Sequence, residues 1–212
     1  MAQNQKVEEK RSIILIILII FFFFLPFLKD PQIVTTKDND FGRTYIPIIS
    51  FIRDSFYSHK QIPLWRPDQL MGESFIGNPI SSIFYPANII FLIKDSNYAA
   101  IIYLYLHIAL AGVSTFFLAR SFYLSKPASV AAAIFYALSF KMIVHLEAGH
   151  LTMIAAFSYF PFSFLSLRNF LSGLNFKWLI IEAFSLTFMF FTYATIFYYS
   201  VIFLIFYWIY HQ

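Results

Sequence analysis

The stretch SIILIILIIFFFFLPFLKDPQIVTTKDND, Ser12 to Asp40, decides the fold. Its first part, Ser12 to Leu28, is an apolar run close to the roughly 20 residues that a membrane-crossing helix needs. Charge begins immediately after it, and Asp38-Asn39-Asp40 closes the stretch. Lys6, Lys10 and Arg11 precede the run, as in a signal peptide. The apolar part is nevertheless longer than about 15 residues, and no A-x-A-like cleavage site follows. The expected element is an uncleaved signal anchor, with residues 1–11 as a basic cytoplasmic N-terminus.

Composition agrees with this start. Hydrophobic residues make up 59% of the chain, charged residues 12%, and the mean hydropathy is +0.68. Soluble domains carry about 25% charged residues, so the chain reads as an integral membrane protein. The net charge of +4 does not point to nucleic acid, because the Lys and Arg residues are scattered among spans and loops. Cysteine is absent, which excludes disulfides, thiolate metal sites and a cysteine nucleophile.

Further apolar runs extend the pattern. Spans are expected at about Tyr98 to Ala119, Pro127 to Val144 and Leu151 to Leu167. The run Trp178 to Tyr210 is too long for one crossing and reads as a hairpin turning near Thr192-Tyr193-Ala194-Thr195. The expected fold is all-α: a polytopic helix bundle of about six spans. Arg120 and Lys126, then Arg168 and Lys177, flank two short connections on the side of the basic N-terminus. The positive-inside rule makes that side cytoplasmic. A long first loop, residues 29–97, then lies on the outer face with the Leu146–His150 turn.

The long loop is too rich in Ile, Phe, Tyr and Trp to be a solvated tail. Phe41, Tyr45, Ile48, Ile52 and Phe56 recur at helical spacing, with Asp40, Arg43, Thr44, Ser50 and Asp54 opposite. This predicts an amphipathic interfacial helix kinked at Pro47. Asn78-Pro79 reads as the N-cap and first position of a second one, and Ile83 to Ile93 as interfacial or re-entrant. Pro63, Pro67, Gly72 and Gly77 fix the course between them, and Trp65 suits an interface anchor or the wall of a ring-binding site.

Several side chains could carry chemistry. Asp38 and Asp40 are candidate catalytic carboxylates and could hold Mg²⁺ or Mn²⁺ between them; equally, Asp40 could cap the surface helix. Arg43 and Arg53 could contact lipid headgroups. His145, Glu147 and His150 share the outer face with the long loop. His107 and Glu182 fall within spans, where ionisable groups are functional candidates. Lys141 is expected to snorkel to the outer interface.

The residues Ile62-Pro63-Leu64-Trp65-Arg66-Pro67, Gly72, Phe75, Asn78 and Phe84-Tyr85-Pro86-Ala87-Asn88 resemble the first outer loop of YfhO-type bacterial membrane proteins, members of the GT-C glycosyltransferase superfamily. Asp40 with Tyr45 and Pro47, and the pair Gly149-His150, match features of the same family. Gln61 and Arg66 depart from its pattern. The resemblance covers residues 10 to 200, and family members are several times longer. The expectation is therefore a GT-C-like module, residues 12–212, truncated at its C-terminus.

The resemblance implies sugar transfer from a polyprenyl-phosphate donor to an envelope glycan or lipid acceptor at the outer face of the plasma membrane. Asp40, with Asp38 beside it, would be the general base. Arg43, Arg53, His59 and Lys60 would meet the phosphate. Trp65, Asn78, Glu147 and His150 would complete the substrate site. That mechanism calls for two surface helices packed into a cavity with Asp40 pointing inward. The alternative is a non-enzymatic protein, a lipid-linked-precursor transporter or an assembly scaffold, with polar residues lining a path through the spans.

Overall fold

The computed structural model describes residues 2–35, 38–69 and 71–211; Gln212, the last residue of the expected module, lies outside them. Helix α1 (Ala2–Lys29) carries the apolar run Ser12 to Leu28, and a single helical turn, α2 (Gln32–Thr35), follows it. Among the described residues, five helices are long and apolar enough to cross a membrane. They are Lys6–Lys29 within α1, α4 (Ser96–Ser121), the pair α5 (Lys126–Ala137) and α6 (Phe140–Ala148) taken together, α7 (Leu151–Gly173) and α9 (Ala194–His211). The 24 residues of the first rise ~36 Å at 1.5 Å per residue, enough for a hydrocarbon core of about 30 Å. Helix α8 (Phe176–Thr192) is strongly apolar but has 17 residues.

Contacts along the helices fix their directions. Phe24 of α1 meets Tyr105 of α4 at 5.8 Å between ring centroids, while Ile16 and Ile20 lie over Gly112. Helices α1 and α4 are thus antiparallel, and Gly112 lets them approach closely: a Cβ there would come within 3.0 Å of both Ile side chains. Glu8 pairs with Lys126, so α5 starts at the same end as α1. Helix α7 runs beside α4, with Arg168 donating to the Ser121 carbonyl at 2.7 Å.

The last apolar run is a hairpin. Phe176 meets Phe170, Ser163 donates to Glu182 at 2.8 Å, and Phe188 meets Tyr159, so α8 runs against α7. Phe203 meets Phe160 and Tyr207 meets Phe164, so α9 runs with it. Tyr193, with φ −153 and ψ 98, makes the turn. Lys6, Lys10, Arg11, Arg120, Lys126, Arg168 and Lys177 collect at one end of the bundle, and the described residues of 29–97 and the 149–150 turn at the other.

Ile16, Ile20, Phe24, Ile101, Leu104 and Ile154 fill the core. Buried hydroxyls such as Ser158 and Ser166 return their hydrogen bonds to carbonyls of their own helix, which satisfies them without water. The outside stays apolar: Phe135, Phe140 and Phe206 are 78%, 84% and 68% exposed. A surface of this kind suits lipid as its solvent.

The long segment departs from expectation in two places. Pro47 does not kink a helix interior. A π-helical turn, Phe41–Tyr45, comes first, and Pro47 then lies in the first turn of α3 (Ile46–His59). The widened turn carries the Ile46 N–H to the Phe41 carbonyl, and Pro47, which has no N–H, needs no partner there. The buried face of α3 holds Ile48 and Ile52 as the periodicity requires, with Ile49 buried beside them, while Phe56 is exposed. The second surface helix is replaced by two short 3₁₀ segments, Pro79–Ser81 and Pro86–Leu92. Ser82, at φ 47, breaks the chain after one turn, and Pro86 starts a new one. Between α3 and these segments, β1 (Trp65–Arg66) and β2 (Glu73–Ser74) form a two-residue antiparallel ladder.

Candidate functional site

The site is assembled from two chain segments distant in sequence. Asn39 begins it by clamping the entry to the π-helical turn. Its side-chain carbonyl accepts from the N–H groups of Phe41 and Gly42 at 3.1 and 3.4 Å. Its amide donates to the carbonyls of Val34 and Glu147 at 3.1 and 3.0 Å. The clamp stitches the loop to the end of α6. Nearby, the Tyr45 hydroxyl bonds Thr152 of α7 at 2.7 Å. Burial holds that phenol above its ordinary pKa range, so it stays neutral as an anchor.

From the other segment comes the turn between α6 and α7. Gly149 ends α6 with φ +81, and a Cβ there would lie 2.4 Å from the Phe41 backbone nitrogen. Only glycine fits both the left-handed conformation and the approach of the loop. The turn aims His150 at Asp40: Nε2 lies 2.9 Å from Oδ2. On its other side, His150 Nδ1 lies 2.9 Å from Nδ1 of His145. The simplest hydrogen placement has His145 Nδ1–H donating to His150, whose Nε2–H donates to Asp40. It leaves the buried His145 Nε2 as a lone pair without a partner. The Asp40 side chain is 56% exposed and that of His150 33%. Oδ2 of Asp40 carries the contact to His150, and Oδ1 has no hydrogen-bond partner among the described residues.

Asp40 therefore does not point inward between two surface helices, as the transferase mechanism called for. It stands at the surface, because the clamp and Gly149 draw the turn of α6 and α7 up against it. Asp38 is not part of the same pair: Arg43 takes both its oxygens, through Nε and Nη2, each at 2.6 Å. Among the described residues no three His, Cys, Asp or Glu side chains gather as a metal site. Of the two carboxylates that could hold Mg²⁺ or Mn²⁺ between them, Asp38 is thus turned to Arg43.

The remaining candidates lie elsewhere. Arg53 donates to the Lys94 carbonyl and to Ser96 Oγ at 2.6 and 2.9 Å, tying α3 to the start of α4. His59 ends α3, about 20 Å of helix beyond Ile46, and Lys60 is its left-handed cap, with Nζ 5.8 Å from the Tyr57 ring. Trp65 lies over Gly72 in the loop, 58% exposed. Asn78 caps the first 3₁₀ segment by accepting from Ile80 N–H at 3.0 Å. Arg66, buried under Phe51, pairs with Asp68 at 3.0 Å and holds that carboxyl below its usual range. Glu147 contributes its backbone carbonyl to the Asn39 clamp. The expected phosphate set of Arg43, Arg53, His59 and Lys60 does not converge: Arg43 and Arg53 are spent on Asp38 and on the loop.

A second polar network escaped the sequence reading. Tyr85, fully buried, places its hydroxyl 2.5 Å from His107 Nε2 and 2.8 Å from the Tyr159 hydroxyl. His107 Nδ1 lies 2.6 Å from the Tyr103 carbonyl, one turn back along α4. Burial pushes the Tyr85 phenol far up, so it remains neutral. The signal was present in Phe84-Tyr85-Pro86 and in an intramembrane histidine, but pairing them needs the fold. No family profile, curated protein or solved structure matches the chain.

Proposed function

We propose that the chain is a membrane glycosyltransferase of the GT-C type, or the N-terminal part of one, resembling the YfhO-type proteins. It would move a sugar from a polyprenyl-phosphate donor to an envelope glycan or lipid acceptor. The observation that carries this reading is the contact between Asp40 and His150. It joins two features that the resemblance names separately, the early loop acid and the Gly149-His150 pair.

In the proposed reaction, Oδ1 of Asp40 takes the proton from an acceptor hydroxyl. The acceptor oxygen bonds the sugar's anomeric carbon, and the bond from that carbon to the lipid phosphate breaks, its electron pair leaving with the phosphate. His150 holds Oδ2 and keeps the carboxylate oriented. The proposal places six spans in the plasma membrane, counting α8, with the basic end cytoplasmic and residues 29–97 outside. The transporter or scaffold alternative asks for a polar path through the bundle. His107 instead meets Tyr85 and a carbonyl of its own helix, and Glu182 meets Ser163 through one oxygen, its other oxygen being buried without a hydrogen-bond partner among the described residues.

The test is sugar release from polyprenyl-phosphate-sugar donors by membranes carrying the chain, with envelope acceptors present. Asp40→Asn keeps shape and removes the base, and is expected to lower turnover about 10²- to 10⁴-fold. Equal turnover in parent and variant would remove Asp40 from the chemistry.

A further inference from the structure

Among the described residues Glu182 is the only buried carboxyl, 7% exposed. Ser163 of α7 donates to its Oε1 at 2.8 Å, and Oε2, shut off from solvent, has no hydrogen-bond partner. No cation reaches it either: Glu182 forms no ion pair among the described residues. Arg168, the one basic residue of α7 before its neighbour helix, gives its guanidinium to the Ser121 carbonyl and the Tyr207 hydroxyl. Helices α7 and α9, between which Glu182 sits, are long and apolar enough to cross a membrane. An acidic oxygen without a donor is costly there, because hydrocarbon offers no water to make the missing bond.

Glu182 borders a pocket of about 230 Å³ between α7, α8 and α9. Its other walls include Leu186, Val201, Leu204, Ile205 and Trp208. Of these only Trp208 carries a donor, and its indole N–H makes no bond to Oε2. The volume lies below the range of small-molecule sites, about 300–1,000 Å³. It suits one long side chain better than a free ligand. Val201, Leu204, Ile205 and Trp208 follow each other at helical spacing on one face of α9. Ile205 and Trp208 are about half exposed, so this apolar face continues outward from the pocket as a surface along which another helix can lie.

We infer that the flank of α8 and α9 receives a membrane-spanning helix of a partner protein, whose lysine or arginine enters this pocket and pairs with Oε2 of Glu182. A basic side chain at that depth finds few other places to go, and each charge offsets the cost of burying the other. Glu182 lies about 9 Å along α8 from Phe176, so the partner's basic residue belongs in the half of its helix nearer the basic end of the bundle. The inference stands on Glu182 and its pocket and is independent of the transferase reading.

The test is binding of a synthetic polyleucine helix of about 20 residues to the full chain in lipid nanodiscs, followed by energy transfer between labels. One lysine is placed at the depth of Glu182; the comparators carry leucine or glutamate there. The lysine helix is expected to bind at least tenfold more tightly than the leucine helix, and the glutamate helix no more tightly than leucine. Glu182→Gln keeps the size and the contact with Ser163, removes the charge, and is expected to erase the preference. Ile205→Trp, at an exposed position on the pocket wall, is expected to erase it by filling the space. Equal binding of the lysine and leucine helices by the parent, or a preference kept by either variant, would overturn the inference. So would a dimer of the chain that Glu182→Gln dissolves, since a second copy would then be the occupant.

Discussion

Two histidine-centred networks sit in this bundle and end differently. At the end of the bundle opposite the basic residues, His145 and His150 lead to Asp40, a carboxylate more than half exposed. Deeper, His107 joins Tyr85 to a helix carbonyl, and Tyr85 reaches Tyr159; His107 is 4% exposed and no carboxylate takes part. An open network that ends in an anion can exchange a proton with a bound molecule. A sealed, neutral one can only hold elements together, here the loop residue Tyr85 to α4 and α7. The difference lies in which residue terminates the chain and whether water reaches it.

The comparison can be broken most severely at Gly149. Gly149→Ala places a Cβ against the Phe41 backbone and forces a left-handed residue, costing about 1–3 kcal/mol for the backbone conformation alone. Sugar release is expected to fall at least tenfold and the thermal midpoint of the solubilised protein to drop. An unchanged variant would mean that the loop does not seat on the α6–α7 turn. Tyr85→Phe should separate the networks by affecting only one. It leaves Nε2 of the buried His107 without a partner, at a cost of about 1–3 kcal/mol in stability, with kcat and KM per folded molecule unchanged. A fall in kcat would give the sealed network a part in the chemistry. Asp38→Asn should do least: its pair with Arg43 is exposed, worth at most about 1 kcal/mol. Sugar release is expected to stay within about twofold of the parent, and a loss comparable to that at Asp40 would reunite the two carboxylates.

The helical architecture was largely legible because apolar run length is a direct signal of a crossing helix, and Pro127, Gly149 and Tyr193 punctuate it. The contribution of Asp40, His150 and Gly149 was legible as separate residues; their contact, spanning 110 positions, was not. Arg43 and Asp38 looked like tools for a substrate and turn out to satisfy each other, since spacing alone cannot say which partner a charge will find. The second surface helix failed for a local reason: Pro79 and Pro86 signal starts, but Ser82 adopts a left-handed conformation that residue type does not announce. The Tyr85–His107 network and the pocket beside Glu182 depend on which helices pack together, and the one-dimensional pattern does not carry that.

The most direct measurement is a double-mutant cycle on sugar release, with Asp40→Asn, His150→Gln and both together. If His150 acts by orienting Asp40, each single change lowers turnover and the double variant is no slower than Asp40→Asn alone. Losses that multiply, or an Asp40→Asn variant as active as the parent, would contradict an acid held in place by His150 as the working centre of this protein.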